Sequence, residues 1–388
     1  MASKVCVFTG SRSDFDRLYW ICLEIQKTEG LELQLIAGNM HLSPEYGLTI
    51  NAIRETGLHV DAEVDMLVSS ATSVGTAKTV GLGTLSLAET FNRLQPDIIL
   101  VLGDRFELLS VASACTCMTI PMAHIGGGQT TEGAMDEQIR HMVTKASHLH
   151  FVANEMFGQR LKNMGEEVWR VFITGSPSID SLMRTPKITT EDLSKELGLD
   201  LARPTALVAY HPATLDPLNL EAHTNQFIEA LSQFEGQLVL TYPNGDPGSE
   251  YIIKSFQKLD AAHGDRSVLI PTLGITRFVS ALLHVDFMIG NSSSALIEAP
   301  TFNLPAVNVG DRQKGRLASS NVISCAQDSA SILRAMQEAM ALGKSPCGKP
   351  YGDGKASPSI VSALKSTLEK RTRQQLLTKK FSIPGEDK

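Results

Sequence analysis

Polar side chains that could do chemistry directly follow short apolar runs in this sequence. Asp104 and Arg105 follow the run IILVL, so a carboxylate and a guanidinium stand side by side. Such a carboxylate can exchange a proton or stabilise a positive charge, and the arginine can bind an anion. The alternative is a capped turn, with Asp104 as the N-cap of the next helix. Both interpretations place the pair at the end of a strand.

A serine-rich segment occupies the corresponding position in the second half. GNSSSALIEAP follows DFMI, which predicts a helix opening at Ser292, Ser293 and Ser294. Small residues allow a backbone to approach a phosphate, the hydroxyls can donate to it, and Glu298 can accept from ribose hydroxyls. A serine-rich helix cap without a ligand is the alternative. The segment matches neither a Walker A loop nor the dinucleotide-binding glycine pattern.

An anionic ligand would need local cations, because the chain carries a formal net charge of -7. That charge also argues against a nucleic-acid-binding protein. Each cation taken alone could be a solvated surface residue, but their position just after strands favours a binding role. The candidates are Arg12, Arg105, Arg312, Lys314 and Arg316.

Three histidines invite a functional interpretation. His148 and His150 are alternate residues of one predicted strand, but no cysteine or carboxylate cluster completes a metal site, so none is predicted. His211 follows LVAY and precedes Pro212, a position suited to ligand contact. Its spacing is equally compatible with a structural histidine.

The elements that must position these residues alternate between short runs rich in Val, Ile and Leu and longer helical patterns. This alternation predicts an α/β protein with parallel sheets, and the repeat of the theme predicts two Rossmann-like domains. Ligands of such sheets bind outside the carboxyl ends of the strands, and the two sheets are expected to face each other across a cleft. The runs are KVCVFTG, LELQLIAG, DIILVLG, MAHIGGG, LHFVAN and VFITG, then TALVAYHP, GQLVLTYPN, SVLIPTLG, DFMIGNSS and PAVNVGD.

Domain boundaries follow from length and breaker residues. A chain of 388 residues exceeds the usual size of one hydrophobic core. Pro, Thr and charged residues between 184 and 204 predict an N-terminal domain over 1–183 and a second domain over 184–358. Residues 359–388 are predicted to form a helix that packs back on the N-terminal domain, followed by a tail.

Composition restricts the class of protein. Hydrophobic residues make up 43% and charged residues 20%, as in packed globular proteins. No apolar run is long enough to span a membrane, and the N-terminus lacks a signal-peptide pattern. The six cysteines are thinly spread and several lie in apolar runs. Together these features predict a soluble cytoplasmic protein with reduced thiols.

The ordered set of strand-end motifs resembles the hydrolysing UDP-N-acetylglucosamine 2-epimerases of sialic-acid biosynthesis, which have a glycosyltransferase-B-like fold. The resemblance covers nearly the whole chain. It implies that UDP leaves as the proton on sugar carbon 2 is removed, and that water then adds to the glycal to release N-acetylmannosamine. It implies no cofactor, a UDP-sugar ligand and a homo-oligomer, dimer or tetramer. The motifs are GSRSDF, GDRFE, EGAMDEQIRHMVTKASHLHF, TGSPSID, HPAT, GNSSSALIEAP and VGDRQKGR.

The resemblance also implies roles for single residues. Asp104 and Asp136 match family catalytic aspartates, and His211, which is also expected to be catalytic, matches a histidine near the nucleotide phosphates. The other matching positions are expected to bind substrate: Arg12, Arg105, Arg140, Ser292, Ser293, Ser294, Glu298, Arg312 and Arg316.

One departure from the family pattern concerns the loop HIGGGQ. Many members carry a glutamate where this chain has Gly126, and some carry one where it has Gln129. Glu132 is the expected replacement as catalytic acid or base, with Glu137 and Glu107 as further candidates.

Several functions other than hydrolytic epimerisation of UDP-N-acetylglucosamine stay open. One is the same chemistry on a UDP-2,4-diacetamido-2,4,6-trideoxyhexose of the legionaminic-acid pathway. A non-hydrolysing epimerase, a retaining glycosyltransferase and a catalytically impaired nucleotide-sugar binding protein are the others.

Overall fold

The computed structural model describes residues 2–68, 72–130, 135–212, 217–243 and 248–383. Each strand lies within a run rich in Val, Ile, Leu or Ala. The described strands are β1 Ser3–Thr9, β2 Leu31–Gly38, β3 Ala62–Val64, β4 Ile98–Leu102, β5 Met122–Ile125, β6 Leu149–Val152, β7 Val171–Ile173, β8 Thr205–Ala209, β9 Gln237–Thr241, β10 Ser267–Ile270, β11 Phe287–Gly290, β12 Ala306–Val309 and β13 Val322–Cys325. Most strands are buried on both faces, whereas β3, β7, β10 and β13 are partly exposed.

Helices separate these strands, and several begin at a residue whose side chain accepts a backbone N–H, such as Thr72, Asn154 and Asp328. The described helices are α1 Arg12–Lys27, α2 Ile50–Glu55, α3 Ser73–Leu94, α4 Leu108–Cys117, α5 Met135–Ala146, α6 Glu155–Asn163, α7 Pro177–Arg184, α8 Thr190–Leu197, α9 Leu220–Ser232, α10 Ser249–His263, α11 Gly274–His284, α12 Ser294–Ile297, α13 Ser329–Leu342, α14 Ala356–Lys370 and α15 Arg373–Leu377.

The chain divides into two compact units. Unit 1 comprises Met1–Ser181 and Tyr351–Lys388, and unit 2 comprises Leu182–Pro350. The sequence places these boundaries at 183/184 and 358/359. The chain rejoins unit 1 ahead of α14 because Tyr351 O accepts a hydrogen bond from Ser176 N at 2.7 Å.

Unit 1 is built on a seven-stranded parallel sheet in the order β3-β2-β1-β4-β5-β6-β7. Alternate residues of β1 pack into different apolar clusters, Val5 and Val7 into one and Cys6 and Phe8 into the other. Both faces of the sheet are therefore covered, which explains why its strands read as continuous apolar runs. Helix α14 packs against α1 in the first of these clusters.

Unit 2 repeats the arrangement with six parallel strands in the order β10-β9-β8-β11-β12-β13. Val208 and Leu207 of β8 pack into separate apolar clusters. In both units the strand order reverses direction beside the first strand, between β1 and β4 in unit 1 and between β8 and β11 in unit 2. Such reversal points are where open α/β sheets bind ligands.

The α/β class with two parallel sheets is confirmed, and each of the eleven predicted runs contains a strand. The runs did not predict β3 and β13, which are short and lie at the sheet edges. Among the described residues, no helix is both long and apolar enough to cross a membrane.

Candidate active site

Asp104 follows β4 at the reversal point of the unit 1 sheet, next to the loop that follows β1. Gly103, at φ 90°, turns the chain out of the strand in a conformation that residues with a side chain rarely adopt. The helix that follows, α4, begins at Leu108, so Asp104 does not cap it. The carboxylate is thus placed at the sheet edge for contacts other than capping.

Arg140 on α5 holds this carboxylate. Its Nε lies 3.0 Å from Asp104 Oδ2, and its Nη2 bonds to the same oxygen. Nη1 donates to Glu137 Oε2 at 2.6 Å and to Gln129 O at 3.0 Å. Because Arg140 is only 2% exposed, this network fixes the orientation of Asp104.

His124 on β5 hydrogen-bonds to the turn at Gly103 that precedes Asp104. Its Nε2 lies 2.7 Å from Gly103 O, which can only accept, so Nε2 carries the proton and Nδ1 accepts from Thr144 Oγ1 at 3.2 Å. Burial lowers the pKa of His124 to about 4, which keeps the ring neutral. The sequence analysis missed this residue, although its position just before the glycine loop was visible.

Asp136 lies in the first turn of α5, one helical turn before Arg140, and is half-buried. Its charge acts on Arg105: burial alone lowers the pKa of that guanidinium, but the carboxylates of Glu107, Asp14 and Asp136 raise it overall. The structure therefore brings Asp104, Arg105, Asp136 and Arg140 into one region.

The departure in the loop after β5 has a backbone basis. Gly126 adopts φ 97°, where an L side chain is strained, although a Cβ there would meet nothing closer than Gln129 Nε2 at 3.7 Å. A glutamate at Gly126 would thus require a different loop conformation. Of the expected replacements, Glu132 lies outside the described residues, Glu137 is engaged by Arg140, and Glu107 is buried against Arg105.

Arg12 starts α1 with a side chain that is 69% exposed, and its nearest acidic partner is Asp16 at 4.0 Å. No described contact joins it to Asp104. His148 and His150 serve the scaffold: Nδ1 of His148 accepts from Met122 N at 3.1 Å, and Nε2 of His150 lies 2.8 Å from Glu166 Oε2.

In unit 2, His211 and the serine-rich segment meet at the reversal point between β8 and β11. Asn291 joins them, because its side chain accepts from His211 N at 2.7 Å and donates to His211 O at 2.8 Å. The carbonyl of Asn291 accepts from Arg312 Nη1 at 3.1 Å and from Gln313 Nε2 at 2.8 Å. This asparagine, 1% exposed, connects three strand ends and was missed in the sequence analysis.

The serine segment differs from its prediction in one respect. The helix that it opens, α12, has four residues and gives way to a 3-10 helix over Ala299–Phe302. Ser292 Oγ accepts from Ser294 N at 3.3 Å, so one hydroxyl braces this turn. Ser293 and Glu298 bound the single turn on its two sides.

A cavity of about 820 Å³ lies beside this region, within unit 2. Arg316 and Lys314 line it, together with Asp311, Gln313 and Gln327. Two of the predicted cations thus border a space large enough for part of a nucleotide sugar.

Similar proteins of known family identify the family of this chain. The UDP-N-acetylglucosamine 2-epimerase family model matches residues 23–365. The chain belongs to this family. A GDP/UDP-N,N'-diacetylbacillosamine 2-epimerase (hydrolysing) of Campylobacter jejuni is 36% identical over 82% of this chain and 83% of that protein. A UDP-N,N'-diacetylbacillosamine 2-epimerase (hydrolysing) of Legionella pneumophila is 33% identical over 94% of this chain and 96% of that one.

A solved structure extends the likeness to the fold. The UDP-N-acetylglucosamine 2-epimerase of Neisseria meningitidis, bound to UDP-N-acetylglucosamine, superposes with a TM-score of 0.79 over 94% of this chain and all of that chain. Identity is 19%, so the match concerns the fold alone. The expected family and the paired Rossmann-like fold of this epimerase are confirmed.

Proposed function

We propose that this epimerase is hydrolysing and acts on a UDP-linked 2-acetamido sugar, releasing UDP and the free 2-epimeric sugar. The observation that carries the proposal is the Asp104–Arg140 ion pair at the sheet reversal point, one helical turn from Asp136. Two carboxylates held on different elements provide the acid and base that epimerisation requires.

The chemistry proceeds in two steps. The bond from sugar carbon 1 to the UDP oxygen breaks, UDP takes the electron pair, and a carboxylate removes the proton on carbon 2 to leave a glycal. Water then adds its oxygen to carbon 1 and gives one proton to a carboxylate, while a carboxylic acid returns a proton to the opposite face of carbon 2. Asp104 and Asp136 stabilise the positive charge that develops on carbon 1 as UDP leaves.

Nucleotide binding belongs to unit 2 in this proposal. Arg312 donates to the Asn291 carbonyl beside Ser292, and this contact places its guanidinium at the strand end where we propose that the anionic diphosphate binds. His211, Ser293, Ser294, Glu298 and Arg316 belong to the same proposed UDP site. Arg12, on the exposed start of α1, is proposed to bind substrate from unit 1.

The substrate that we propose is a UDP-2,4-diacetamido-2,4,6-trideoxyhexose, with UDP-N-acetylglucosamine turned over more slowly. Two considerations support this choice. The relatives at 36% and 33% identity are named for UDP-N,N'-diacetylbacillosamine. The loop also has Gly126 where many members of the family carry a glutamate, and Gln129 where some relatives carry one.

The test is UDP release from UDP-N,N'-diacetylbacillosamine and UDP-N-acetylglucosamine, with each product identified by NMR in deuterium oxide. We expect free sugar with deuterium at carbon 2. The kcat/KM should be at least about tenfold higher for the diacetamido substrate, because a site that hydrogen-bonds the second acetamido group of this sugar rejects a substrate that lacks the group. A product that keeps its nucleotide would defeat the hydrolytic proposal. A higher kcat/KM on UDP-N-acetylglucosamine would reverse the substrate assignment alone.

Arg312→Ala tests the proposed nucleotide site. Loss of a charge-assisted contact to the diphosphate should weaken UDP binding by roughly 10- to 100-fold. Arg334→Ala, which removes an exposed arginine on α13 of the same unit, is the matched control. Equal UDP affinity of the two variants in calorimetry would remove Arg312 from the site.

We also propose that the enzyme works in the cytoplasm as a homo-oligomer. The six cysteines are all free, as expected for a protein of a reducing compartment.

A further inference from the structure

A buried carboxylate lies three residues after Asp104. Glu107 is 1% exposed, and its Oε1 accepts from Arg105 Nε at 2.7 Å. Its other oxygen, Oε2, has no hydrogen-bond partner within the described structure. A buried carboxylate is costly to desolvate, and the ion pair with Arg105 offsets part of that cost.

The backbone makes room for this carboxylate at Gly10. A Cβ on Gly10 would lie 2.4 Å from Glu107 Oε1 and 2.8 Å from Glu107 Cγ, closer than real contacts allow. Gly10 lies at the end of β1, the neighbour of β4. Gly10 after β1 and Glu107 after β4 are therefore packed against each other, although they are far apart in the sequence.

Arg105 is consequently held on several sides. Besides Glu107, Asp14 Oδ2 lies 4.0 Å from its Nε, and its Nη2 lies 3.0 Å from the sulfur of Met40. The Arg105 side chain nevertheless remains 32% exposed. Because the charge of Asp136 also acts on it, the guanidinium lies within electrostatic reach of one of the two proposed catalytic carboxylates.

We propose that Glu107 is a positioning residue that holds Arg105, so that the exposed N–H groups of its guanidinium donate to an oxygen of the sugar nucleotide. This inference rests on the proposed function and deepens it. Glu107 itself does not touch the substrate, which replaces its expected role as a catalytic acid or base. A planar guanidinium that is fixed along one edge loses little freedom when its other edge binds.

A double-mutant cycle tests this role with Glu107→Gln, Arg105→Met and the double variant. Glu107→Gln should lower kcat/KM by about tenfold or more in the native background and by less than about twofold when Arg105 is already methionine. Glu63→Gln is the matched control, because it breaks the Arg54–Glu63 ion pair of the same unit far along the sequence. It should leave kcat/KM unchanged.

Gly10→Ala provides a second route, since it displaces Glu107 without changing any charge, and it should reproduce the loss of kcat/KM. An equal loss from Glu107→Gln in both backgrounds, or no loss in the native one, would overturn the proposal. Calorimetry on the native protein, the two single variants and the double variant measures their affinity for the sugar nucleotide. This second readout of the cycle does not depend on turnover. A wild-type protein that releases no UDP would defeat the proposed function, whereas the binding cycle still decides the role of Glu107.

Discussion

Asp104 and Arg140 are separated by 36 positions in the sequence, yet they share two hydrogen bonds in the structure. Arg140 is almost fully buried and also serves Glu137 and the carbonyl of Gln129. A guanidinium held by that many acceptors has little freedom to move with a substrate, so we propose that Arg140 acts by orienting Asp104 and not by binding substrate as the family resemblance implies. At this scale, function depends on charge and geometry that single substitutions can test.

Asp104→Asn should reduce kcat by about 10²- to 10⁴-fold while leaving UDP affinity nearly intact, because the amide cannot exchange a proton and the nucleotide is proposed to bind unit 2. Asp136→Asn should behave alike. The measurement is steady-state UDP release together with calorimetry, with Asp353→Asn, which removes an exposed carboxylate beside Lys355, as control. Full activity in either aspartate variant would exclude that residue from the mechanism.

Asp14 predicts a pH-dependent stability. Burial raises its pKa to about 6, against the hydrogen bond from Ser11 Oγ. The folded state thus holds this proton more tightly than the unfolded state, so the stabilisation is full below pH about 4 and is lost as pH rises through about 6. Asp14→Asn should therefore raise the unfolding free energy by on the order of 2 kcal/mol at pH 8 and change it little at pH 4. Urea denaturation at both pH values measures this, and an equal effect at both would contradict it.

At the scale of elements, the C-terminal helices complete unit 1. Asp180 accepts from the first N–H groups of α14, those of Ala356 at 2.8 Å and Ser357 at 2.6 Å. Arg170, which is fully buried, donates to the carbonyls of Leu376 at 2.9 Å and Thr378 at 2.8 Å. The N–H groups at the start of α14 and the carbonyl groups at the end of α15 have no partners within their own helices. Side chains from the first half of the chain bind them and so hold the C-terminal helices in place.

Glu166 binds the last segment in a similar way. It is fully buried and pairs with Lys145 at the end of α5 and with Lys379, both at 2.7 Å, as well as with His150. These partners overcome the effect of burial and lower its pKa to about 2. Helix α5, which carries Asp136 and Arg140, is thus tied to the C-terminal segment at its far end.

Arg170→Met should release this segment. The substitution removes the donor to the carbonyl groups of His148, Leu376 and Thr378. We expect a loss of about 3 kcal/mol or more in unfolding free energy, with faster proteolysis between residues 371 and 380. Thermal unfolding and limited proteolysis with mass spectrometry measure the two effects. Arg334→Met should change neither, and a protease-resistant Arg170→Met protein would show that α14 packing alone holds the segment.

At the scale of the whole molecule, buried histidines set the acid stability. His41 lies between the hydroxyls of Thr9 and Thr49, at 3.0 Å and 2.8 Å, and burial lowers its pKa to about 4, as it does for His124. Between pH 6.5 and 4 the unfolded chain binds protons that the folded chain does not, so stability falls as pH falls through this window.

The expected size of this effect decides whether unit 1 remains folded. At pH 5, protonation linked to His41 and to His124 should each lower the free energy of unfolding by about 2 kcal/mol relative to neutral pH. The opposite change at Asp14 raises it by about 1 kcal/mol. Because domains are stable by only about 5–15 kcal/mol, the melting temperature should drop clearly between pH 7.5 and 5. A His124→Gln protein should show a smaller drop, and an identical pH dependence would exclude this histidine as the cause.

The amino-acid sequence alone predicts the α/β class, the two sheets and the places where polar residues leave the strands, because apolar periodicity and strand-end composition are local properties. It also indicated Asp104, Asp136, Arg105 and Arg312 through the family motifs. The folded structure was needed to find that Arg140 orients Asp104, that Gly10 makes room for Glu107, and that Asn291 joins three loops. These contacts depend on which strand ends become neighbours in the folded sheet, and neither residue type nor spacing along the chain contains that information.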